Sequence, residues 1–391
     1  MEAFDVVILG AGAAGLMCAM TAGRRGKRVL LLERNDRAGE KILISGGGRC
    51  NFTNLEVTAE RFISGNPHFC KSALSRYSEH DFIALVEKHR IKYHEKTLGQ
   101  LFCDGSAREI LAMLLAECTA AGVDLRVGHN VAEITRADRF RIETDRGSFV
   151  SPALVLATGG LSIPKLGATS FAYDAARRFG LEVIAPKPGL VPLKMATETL
   201  ELCQSLSGVS VDSIVSCGRD SFRENILFTH RGLSGPAILQ ISSYWEKGNA
   251  LSIDFAPTLD VESFLKDRKR TRPKAELKTI LSEIVPARLA QAIAERVAAA
   301  DSIANVPDRS LLAIVNDLRR FEVRPTESEG WLKAEVTVGG IDTSGLSSKT
   351  MEAREAAGLY AIGEAVDVTG WLGGYNFQWA WSSGWCAGTA V

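Results

Sequence analysis

The residues best suited to chemistry stand in two glycine-rich segments that are far apart in the chain. The first begins with Gly10-Ala-Gly-Ala-Ala-Gly15, and the second contains Gly373-Gly-Tyr-Asn376. Gly10 permits a tight turn after a strand, Gly12 lets a pyrophosphate approach the backbone, and Gly15 allows a helix to pack closely. The N–H groups and the dipole at the start of that helix attract a phosphate. The spacing therefore predicts a dinucleotide-binding turn.

The elements around this turn have the pattern of a βαβ unit. Residues 4–9 form a short apolar run, and residues 13–25 carry alanines and methionines at helical spacing. A second apolar run, 28–33, ends at Glu33, whose carboxylate can accept hydrogen bonds from both ribose hydroxyls. Strand, helix and acid in this order make a Gly-x-Gly-x-x-Gly match specific.

The segment Ser45-Gly-Gly-Gly-Arg-Cys-Asn51 narrows the kind of dinucleotide. Three successive glycines allow backbone to contact a flat ring, and their N–H groups can face flavin oxygens or phosphates. Arg49 can stabilise negative charge on a reduced flavin or bind an anionic substrate. Cys50 is either a reactive thiol or a small buried residue, and packing is the commoner role of a free cysteine.

Composition limits the class of protein. A chain of 391 residues is expected to form about two or three domains. Lys plus Arg equals Asp plus Glu at 46 each, so nucleic-acid binding would need a local patch. The eight cysteines include no Cys-x-x-Cys pair, which favours reduced thiols in a cytoplasmic protein. We predict no membrane span and no metal site.

The rest of the chain alternates between helical and strand patterns. Helices are expected at 71–89 and 106–121 with a loop at 93–103 between them, followed by an antiparallel meander over 124–150. A buried strand follows at 152–158. After Pro186-Lys-Pro-Gly189 short alternating strands appear, then helices at 275–299 and 308–320, and a last buried strand precedes a C-terminal helix. This order predicts a nucleotide-binding domain interrupted by a mixed insertion.

Four motifs together resemble a known family. They are Ser45–Asn51, Ala157-Thr-Gly-Gly160, Leu227-Phe-Thr-His-Arg-Gly-Leu-Ser-Gly-Pro236 and Gly373-Gly-Tyr-Asn376. The chain resembles the BaiN/RdsA-like (YhiN-type) FAD-dependent oxidoreductases over essentially its whole length, and the segment 95–104 is most similar to the RdsA ribosomal RNA dihydrouridine synthase branch.

The resemblance implies an α/β fold with a discontinuous Rossmann-type, glutathione-reductase-like FAD-binding domain at 1–191 and 335–391. An inserted β-barrel-like domain would occupy 192–334, with a helical subdomain at about 260–320. It further implies noncovalent FAD, reduction by NADH or NADPH, and reduction of a polarised carbon–carbon double bond. The residues that would hold the cofactor are Gly10, Gly12, Ala14, Gly15, Glu33, Arg34, Lys41, Ser45, Gly46, Gly47, Arg49, Val131, Thr158, Gly159, Gly363, Glu364, Gly374, Tyr375 and Asn376.

Reduction of such a bond needs a hydride from the flavin and a proton from an acid close to the ring. Cys103, His94 and Cys50 are the predicted catalytic candidates, with Tyr375 a further acid near the ring. Cys103 ranks first because it stands in the segment typical of the RdsA branch. A buried loop cysteine is the alternative interpretation.

The resemblance to the RdsA branch implies that the substrate is a uridine of 23S ribosomal RNA or of its precursor, reduced to dihydrouridine. The run Lys266-Asp-Arg-Lys-Arg-Thr-Arg-Pro-Lys274 could contact RNA phosphates or form a solvated connection. Two other functions stay open: a small-molecule enone reductase or amino-ketone oxidase, and a nonenzymatic, flavin-stabilised RNA-binding factor. The oligomeric state does not follow from the sequence.

Overall fold

A computed structural model of the protein describes residues 1–297 and 302–391. The chain divides into two compact units. The first contains Met1–Lys187 and Val336–Val391, and the second contains Pro188–Glu335. The two units are described separately.

The first unit is built on a five-stranded sheet of short strands, four of which are apolar. Their order across the sheet is Leu359–Ala361, Ala153–Leu156, Val6–Leu9, Val29–Leu32 and Asp124–Arg126, and neighbouring strands are parallel. The four strands other than Asp124–Arg126 are buried along their whole length, as expected for a parallel sheet covered on both faces. The predicted α/β class with a Rossmann-type fold is confirmed.

One predicted strand belongs to a different sheet. Residues 124–127 were expected in an antiparallel meander, but Asp124–Arg126 pairs in parallel with Val29–Leu32. The meander itself consists of Val131–Arg136, Phe140–Thr144 and Gly147–Ser151, and Glu2–Ala3 adds to its edge in parallel.

A three-stranded antiparallel sheet contains the segment predicted as a loop at 93–103. Its strands are Asn51–Asn54, Gln100–Cys103 and Tyr93–Glu95, in that order. The loop prediction is wrong because residues 93–103 form a β-hairpin. The helix predicted at 71–89 is two helices, Phe69–Arg76 and Glu79–Lys88, and a capping box of Ser78 and Asp81 begins the second.

The first and last long helices of this unit, Ala13–Arg24 and Tyr375–Ala390, pack very closely. A Cβ atom at Gly384 would lie 2.5 Å from the carbonyl oxygen of Ala14, and one at Gly388 would lie 2.6 Å from that of Cys18. The two glycines therefore let the helix backbones touch.

The other helices of the unit are Glu40–Ile44, Ala107–Ala120 and Phe171–Arg178. Further strands pair Phe62–Ile63 with Thr369–Gly370 and Val183–Gly189 with Val336–Ile341.

The second unit has a seven-stranded antiparallel sheet. Its order is Phe321–Val323, Leu251–Asp254, Ser210–Cys217, Asp220–Thr229, Gly232–Ser234, Leu193–Lys194 and Glu327–Ser328. Its helices are Thr197–Ser205, Pro236–Ser242, Val261–Thr271, Leu277–Leu281, Ala287–Val297 and Asp308–Arg319. The expected helix 275–299 is interrupted before Pro286, and its last two residues lie outside the described part of the chain. The barrel-like closure and the domain bounds stay predictions.

Across residues 1–297 and 302–391, helices that combine the length and the apolar character needed to cross a membrane are absent.

Candidate functional site

The predicted phosphate turn combines tight packing on one side with open space on the other. A Cβ atom at Gly10, whose φ is +102°, would lie 2.5 Å from the carbonyl oxygen of Ala157, and one at Gly15 would lie 1.9 Å from that of Gly10. At Gly12, by contrast, a Cβ atom would meet nothing within 4 Å. No side chain of residues 1–297 or 302–391 caps the helix that begins at Ala13. The start of this helix is therefore open to a phosphate group.

A polar group without a protein partner lies beside this turn. The Thr158 hydroxyl is buried and has no hydrogen-bond partner among the described residues. Thr158 is adjacent to the turn, since a Cβ atom at Gly10 would lie 2.9 Å from its Cα. Next to it Gly159 has a φ of +75° and open space where a Cβ would stand. An unpaired buried hydroxyl requires a partner, and a pyrophosphate oxygen fits this position.

The carboxylate of Glu33 is fixed by two backbone donors. Its oxygens accept hydrogen bonds from the N–H groups of Ala11 and Asn35, each at 2.9 Å. The N–H of His129 donates to the backbone carbonyl of Glu33, so Val131, two residues further along the chain, lies near this acid. A pocket of about 400 Å³ opens at the same place, lined by Arg34, Asn35, Asp36, Arg37, Glu40 and Asn130. Its size and polar lining suit an adenosine group.

Lys41 and Glu364 form an ion pair near the turn. The Lys41 ammonium lies 2.5 Å from one oxygen of Glu364, and the hydroxyl of Ser162 and the N–H of Thr337 donate to the other oxygen at 2.7 and 2.9 Å. Lys41 also lies 2.6 Å from the Ser162 hydroxyl. Burial alone would raise the pKa of Glu364, but the Lys41 charge and these donors hold it below its ordinary value.

Gly363, which precedes this acid, is held between the two long helices. Its φ is +64°, and a Cβ atom would lie 2.8 Å from the Cβ of Ala14. Its N–H donates to the Ser383 hydroxyl and its carbonyl accepts from the Trp379 ring, each at 3.0 Å. The C-terminal helix thus positions Gly363 and Glu364 against the phosphate turn.

The two distant glycine-rich segments meet on one face of the three-stranded sheet. A Cβ atom at Gly46 would lie 2.8 Å from the Phe102 ring, and one at Gly373 would lie 3.1 Å from the Gln100 side chain. Residues 100 and 102 share a face of their strand because side chains alternate. The next glycine, Gly374, packs against the Thr53 backbone. We call this surface the glycine face; it consists of Gly46–Gly48 and Gly373–Gly374 over the strand Gln100–Cys103.

The backbone of the first segment is held in unusual conformations. Gly46, Gly47, Gly48 and Cys50 all have φ between +51° and +86°. Gly46 and Gly47 are exposed, and a Cβ atom at Gly47 would meet nothing within 4 Å. The Ser45 hydroxyl donates to the Ile42 carbonyl at 2.6 Å. This loop therefore presents bare backbone to a ligand, as a flat ring would require.

Tyr375 and Asn376 have structural partners in this conformation. The Asn376 amide closes its own turn, since it accepts from the N–H of Gly370 at 2.9 Å and donates to the carbonyl of Gly370 at 2.7 Å. Tyr375 is buried and packs edge-on against Phe62, with ring centroids 6.1 Å apart. Contact of these two side chains with a flavin ring stays a prediction.

Two of the predicted proton donors, Cys103 and His94, lie on opposite faces of the sheet, and the third, Cys50, is buried beside Cys103. Cys103 is opposite Tyr93, its side chain is 0% exposed, and it belongs to the hydrophobic core next to Cys50, which is equally buried. Burial raises the pKa of both thiols to about 12. His94 is opposite Phe102, on the side of the glycine face. Its imidazole is 42% exposed and its Nδ1 lies 2.7 Å from Asp104.

Arg49 connects these elements through its backbone. Its carbonyl accepts from the N–H of Cys103 at 3.0 Å, while its side chain is exposed beside the open glycines. The guanidinium is therefore available to an anion near the glycine face.

The basic run at 266–274 lies on the helix Val261–Thr271 and just beyond it, in the second unit. Most of its charges are paired with acids: Lys266 with Glu262, Arg268 and Arg272 with Glu283, Lys269 with Asp308, and Arg270 with Asp267. These pairs are largely exposed and individually weak. They nevertheless neutralise the run locally, which disfavours it as a phosphate-binding surface.

Several residues of the site were missed from the sequence. Ser162 and Thr337 bind Glu364, Phe102 and Gln100 support the glycine face, and Asp104 binds His94. Short polar residues at strand ends carry no spacing signal. The strand Tyr93–Glu95 is too short for a clear alternation, so the pairing of His94 with Phe102 had no sequence signal either.

Comparison with known proteins identifies the family to which the chain belongs and several relatives that match it over nearly its whole length. Residues 4–390 match the family described as HI0933-like protein Rossmann domain. A protein of Escherichia coli strain K12 called ribosomal RNA dihydrouridine synthase is 50% identical, over 99% of this chain and 98% of that protein. One of Haemophilus influenzae with the same name is 46% identical over 98% of both. A 3-dehydro-bile acid delta(4,6)-reductase of Clostridium scindens is 28% identical over 98% of both.

Solved structures share the fold. The open conformation of a flavocytochrome c3 fumarate reductase is similar with a TM-score of 0.50 and 16% identity, over 99% of this chain and 78% of that one. A Mycobacterium smegmatis Sdh1 complex in the apo form gives 0.50 and 17%, over 99% and 68%. At these identities the likeness concerns the fold.

Proposed function

We propose that this chain, a flavoprotein oxidoreductase that belongs to the HI0933-like protein Rossmann domain family, uses FAD and NAD(P)H to reduce a uridine of 23S ribosomal RNA to dihydrouridine. The resemblance to the BaiN/RdsA-like family is confirmed by the two dihydrouridine synthases of similar length. The structural observation that carries the proposal is the meeting of Gly46 and Gly373 on one sheet face beside Lys41 and Glu364.

The residues of the first unit fit FAD along its whole length. The open helix start at Gly12 and the unpaired Thr158 hydroxyl suit the pyrophosphate, and Glu33 with the adjoining polar pocket suits the adenosine. Lys41 and Glu364 would bind the ribityl chain. The exposed backbone of Gly46 and Gly47 would face the isoalloxazine.

When bound, FAD would supply a hydride, taken from NAD(P)H, to one carbon of the uracil C5–C6 double bond. The other carbon must receive a proton from the protein or solvent, so uridine, NAD(P)H and a proton give dihydrouridine and NAD(P)⁺. Arg49 is placed to attract an anionic group of the substrate, because its guanidinium is exposed next to the open glycines. At Gly47 open space stands where a side chain would be, so the loop would not obstruct a planar ring.

We favour His94 as the proton donor over the buried thiols. Its ring lies on the side of the glycine face, stacked on Phe102 with centroids 6.3 Å apart. Asp104 binds Nδ1 at 2.7 Å, which orients the imidazole and leaves Nε2 directed away from that carboxylate. Cys103 stays the sequence-based candidate, but its thiol faces the core.

The deciding experiment combines purified protein with ribosomal RNA from a strain that lacks the corresponding gene. We expect bound FAD to be released on denaturation, and dihydrouridine to form in the 23S RNA only when NADH or NADPH is present, as measured by mass spectrometry of nucleosides. Unchanged dihydrouridine content between deletion and parent strains would exclude the proposed substrate.

The similarity to the bile acid reductase favours a second candidate, reduction of a small enone. Turnover of a steroid enone without any activity on ribosomal RNA would establish that alternative. RNA binding without multiple turnovers of NAD(P)H would instead indicate a nonenzymatic factor. We place the reaction in the cytoplasm, where ribosomal RNA and reduced nucleotides are available.

A further inference from the structure

Basic side chains follow the outer edge of the three-stranded sheet. Tyr93–Glu95 is the edge strand, and backbone hydrogen bonds of Lys92 with Asp104 and of Lys96 with Gln100 extend its pairing at both ends. Lys92, His94 and Lys96 stand two positions apart along this strand, so they share a face at spacings of about 6.6 Å. Arg90 lies two positions earlier, in the turn after the helix Glu79–Lys88, with a φ of +57°. All four residues are exposed, and we call them the edge strip.

Three charges of the edge strip are not neutralised by an acid of the described residues. Within the described ranges 1–297 and 302–391, Arg90, Lys92 and Lys96 make no ion pair, whereas His94 binds Asp104. In the basic run at 266–274 the opposite holds, since most of its cations bind neighbouring acids. On a chain of zero net charge, the edge strip is therefore a local basic patch whose charges can meet a polyanion.

The edge strip also adjoins the glycine face. The Phe102 ring stacks on His94, and the Lys96 ammonium lies 5.2 Å from its centroid. The same ring lies against Gly46, where a Cβ atom would come within 2.8 Å of it. One aromatic side chain thus joins the cationic edge to the surface on which a base would lie.

The hairpin that carries the strip ends in an exposed apolar tip. Leu98 is 63% exposed with a φ of +51°, and its carbonyl accepts from the Asn54 amide at 2.9 Å. The N–H of Gly99 donates to Glu95 at 3.1 Å, and the N–H of Leu55 donates to the Gly99 carbonyl at 2.8 Å. The tip is therefore fixed in place while it presents an apolar side chain to solvent.

We propose that the edge strip binds the phosphate backbone of a single-stranded RNA segment and thereby delivers an unpaired base to the glycine face, an inference that rests on the proposed function. Exposed Lys and Arg side chains along one edge attract the phosphates of a nucleic-acid backbone. Single strands combine such contacts with apolar and aromatic contacts to their bases, here to Leu98 and Phe102. A paired uridine would hide its ring faces by stacking, so the bound segment must be unpaired.

Salt-dependent binding of labelled single-stranded oligouridylate to the FAD-loaded protein tests this surface. The triple variant Arg90→Gln, Lys92→Gln, Lys96→Gln should bind at least tenfold more weakly at low salt. The slope of log affinity against log salt should fall by about 2, at roughly 0.7 for each lost phosphate contact. The charge-conserving variant Arg90→Lys, Lys92→Arg, Lys96→Arg should bind like the parent, which separates charge from folding.

A matched variant in the other basic segment controls for total charge. Lys266→Gln, Arg270→Gln, Lys274→Gln removes three charges from the run and should leave the slope unchanged. If the edge-strip variant keeps the parental slope, or if the control variant shows the loss instead, the inference is wrong. Equal affinity for polyglutamate would assign the strip to an acidic protein and overturn the RNA assignment.

The outcome is separable from that of the proposed function. If the parent protein forms dihydrouridine but the edge-strip variant keeps its RNA affinity and slope, the inference about the strip fails while the function stands. If the parent forms no dihydrouridine but the slope falls as expected, the reductase proposal fails and the RNA-binding surface remains.

Discussion

The ammonium of Lys41 and the carboxylate of Glu364 lie 2.5 Å apart, although 323 positions separate them in the chain. Ser162 binds both groups from a third segment. The pair therefore joins the glycine-rich segment near the N-terminus to the one near the C-terminus. We regard it as the charged centre of the predicted cofactor site.

Removal of the negative charge of Glu364 should weaken FAD binding. Glu364→Gln keeps the size of the side chain but loses the charge-assisted bond to Lys41, which is worth about 1.5–3 kcal/mol. We expect the dissociation constant of FAD, measured by flavin fluorescence, to rise at least tenfold. Glu355→Gln, at an exposed position in the same region, is the control and should bind FAD normally. Normal affinity in Glu364→Gln would show that the pair lies outside the site.

Two glycines of the phosphate turn should respond differently to substitution by alanine. Gly12 has a φ of −84° and open space where a Cβ would stand, so Gly12→Ala should fold with stability within about 0.5 kcal/mol of the parent. The added methyl group would occupy the place of the pyrophosphate, so FAD affinity should fall at least tenfold. Thermal denaturation of the apoprotein and FAD titration measure the two effects.

Gly15→Ala is the counterpart. Its Cβ would lie 1.9 Å from the carbonyl oxygen of Gly10, so the helix or the turn must move. We expect a loss of about 1–3 kcal/mol in the free energy of unfolding, with lower melting temperature even without FAD. If Gly12→Ala proves to be the destabilising change, the open side of the turn has been assigned to the wrong residue.

Much of this turn could be predicted from the sequence because its signals are local. Strand, glycines, helix and Glu33 follow one another within about thirty residues, and each glycine has a distinct steric task. Four strands of the five-stranded sheet followed from short apolar runs. Asp124–Arg126 was misassigned because its polar residues resemble a solvated meander strand, whereas parallel pairing with Val29–Leu32 is a long-range property.

The glycine face could not be predicted because its contacts are between distant segments. The sequence indicates that Gly46 and Gly373 are permissive, but nothing local shows that Phe102 and Gln100 support them. The hairpin at 93–103 escaped detection since its strands are three and four residues long, too short for a clear alternation. Asn376 was predicted to bind the cofactor, yet its side-chain amide binds the backbone of Gly370.

A buried carboxylate in the first unit should make stability depend on pH. Glu117 is 6% exposed and binds Lys88, His89 and Arg24. Burial raises its pKa, but hydrogen bonds from Lys88, His89 and Arg24 outweigh this and lower the pKa to about 2. A depressed folded-state pKa means that the stabilisation is present above the ordinary pKa near 4.5 and is lost as the pH falls toward 2.

We therefore expect Glu117→Gln to cost about 1–3 kcal/mol at pH 7 and progressively less below about pH 4.5. Urea unfolding followed by tryptophan fluorescence at several pH values measures this difference. Glu133→Gln, at an exposed position, should leave stability unchanged at every pH. A cost for Glu117→Gln that is independent of pH would mean that packing, and not charge, is responsible.

Cys103→Ala tests the sequence-based assignment of the proton donor. Since the thiol is buried beside Cys50 and its pKa is raised to about 12, we expect its removal to lower stability and leave the rate of product formation within a few-fold of the parent. Cys50→Ala at the neighbouring thiol is the matched variant. Loss of dihydrouridine with FAD content and NAD(P)H oxidation intact would restore Cys103 as the donor.

His94→Gln should instead remove the proton transfer. The glutamine can still bind Asp104, but it has no proton to give, so single-turnover reduction of the uridine should slow about 10²–10⁴-fold. FAD content and the reduction of the flavin by NAD(P)H should be unchanged, because neither requires this side chain. Asp104 acts as a positioning residue, so Asp104→Asn should lower kcat more than it raises KM and change the pH profile of kcat.

Asp104→Glu should recover part of the activity, since it restores a carboxylate that can reach Nδ1. A purely structural role for the hairpin predicts another pattern, in which all three variants weaken RNA binding together and leave the single-turnover rate at saturating RNA unchanged. Parental rates in His94→Gln, combined with loss in Cys103→Ala, would place the donor on the inner face of the sheet. The hairpin would then have to open during turnover, because in this conformation the thiol is fully buried.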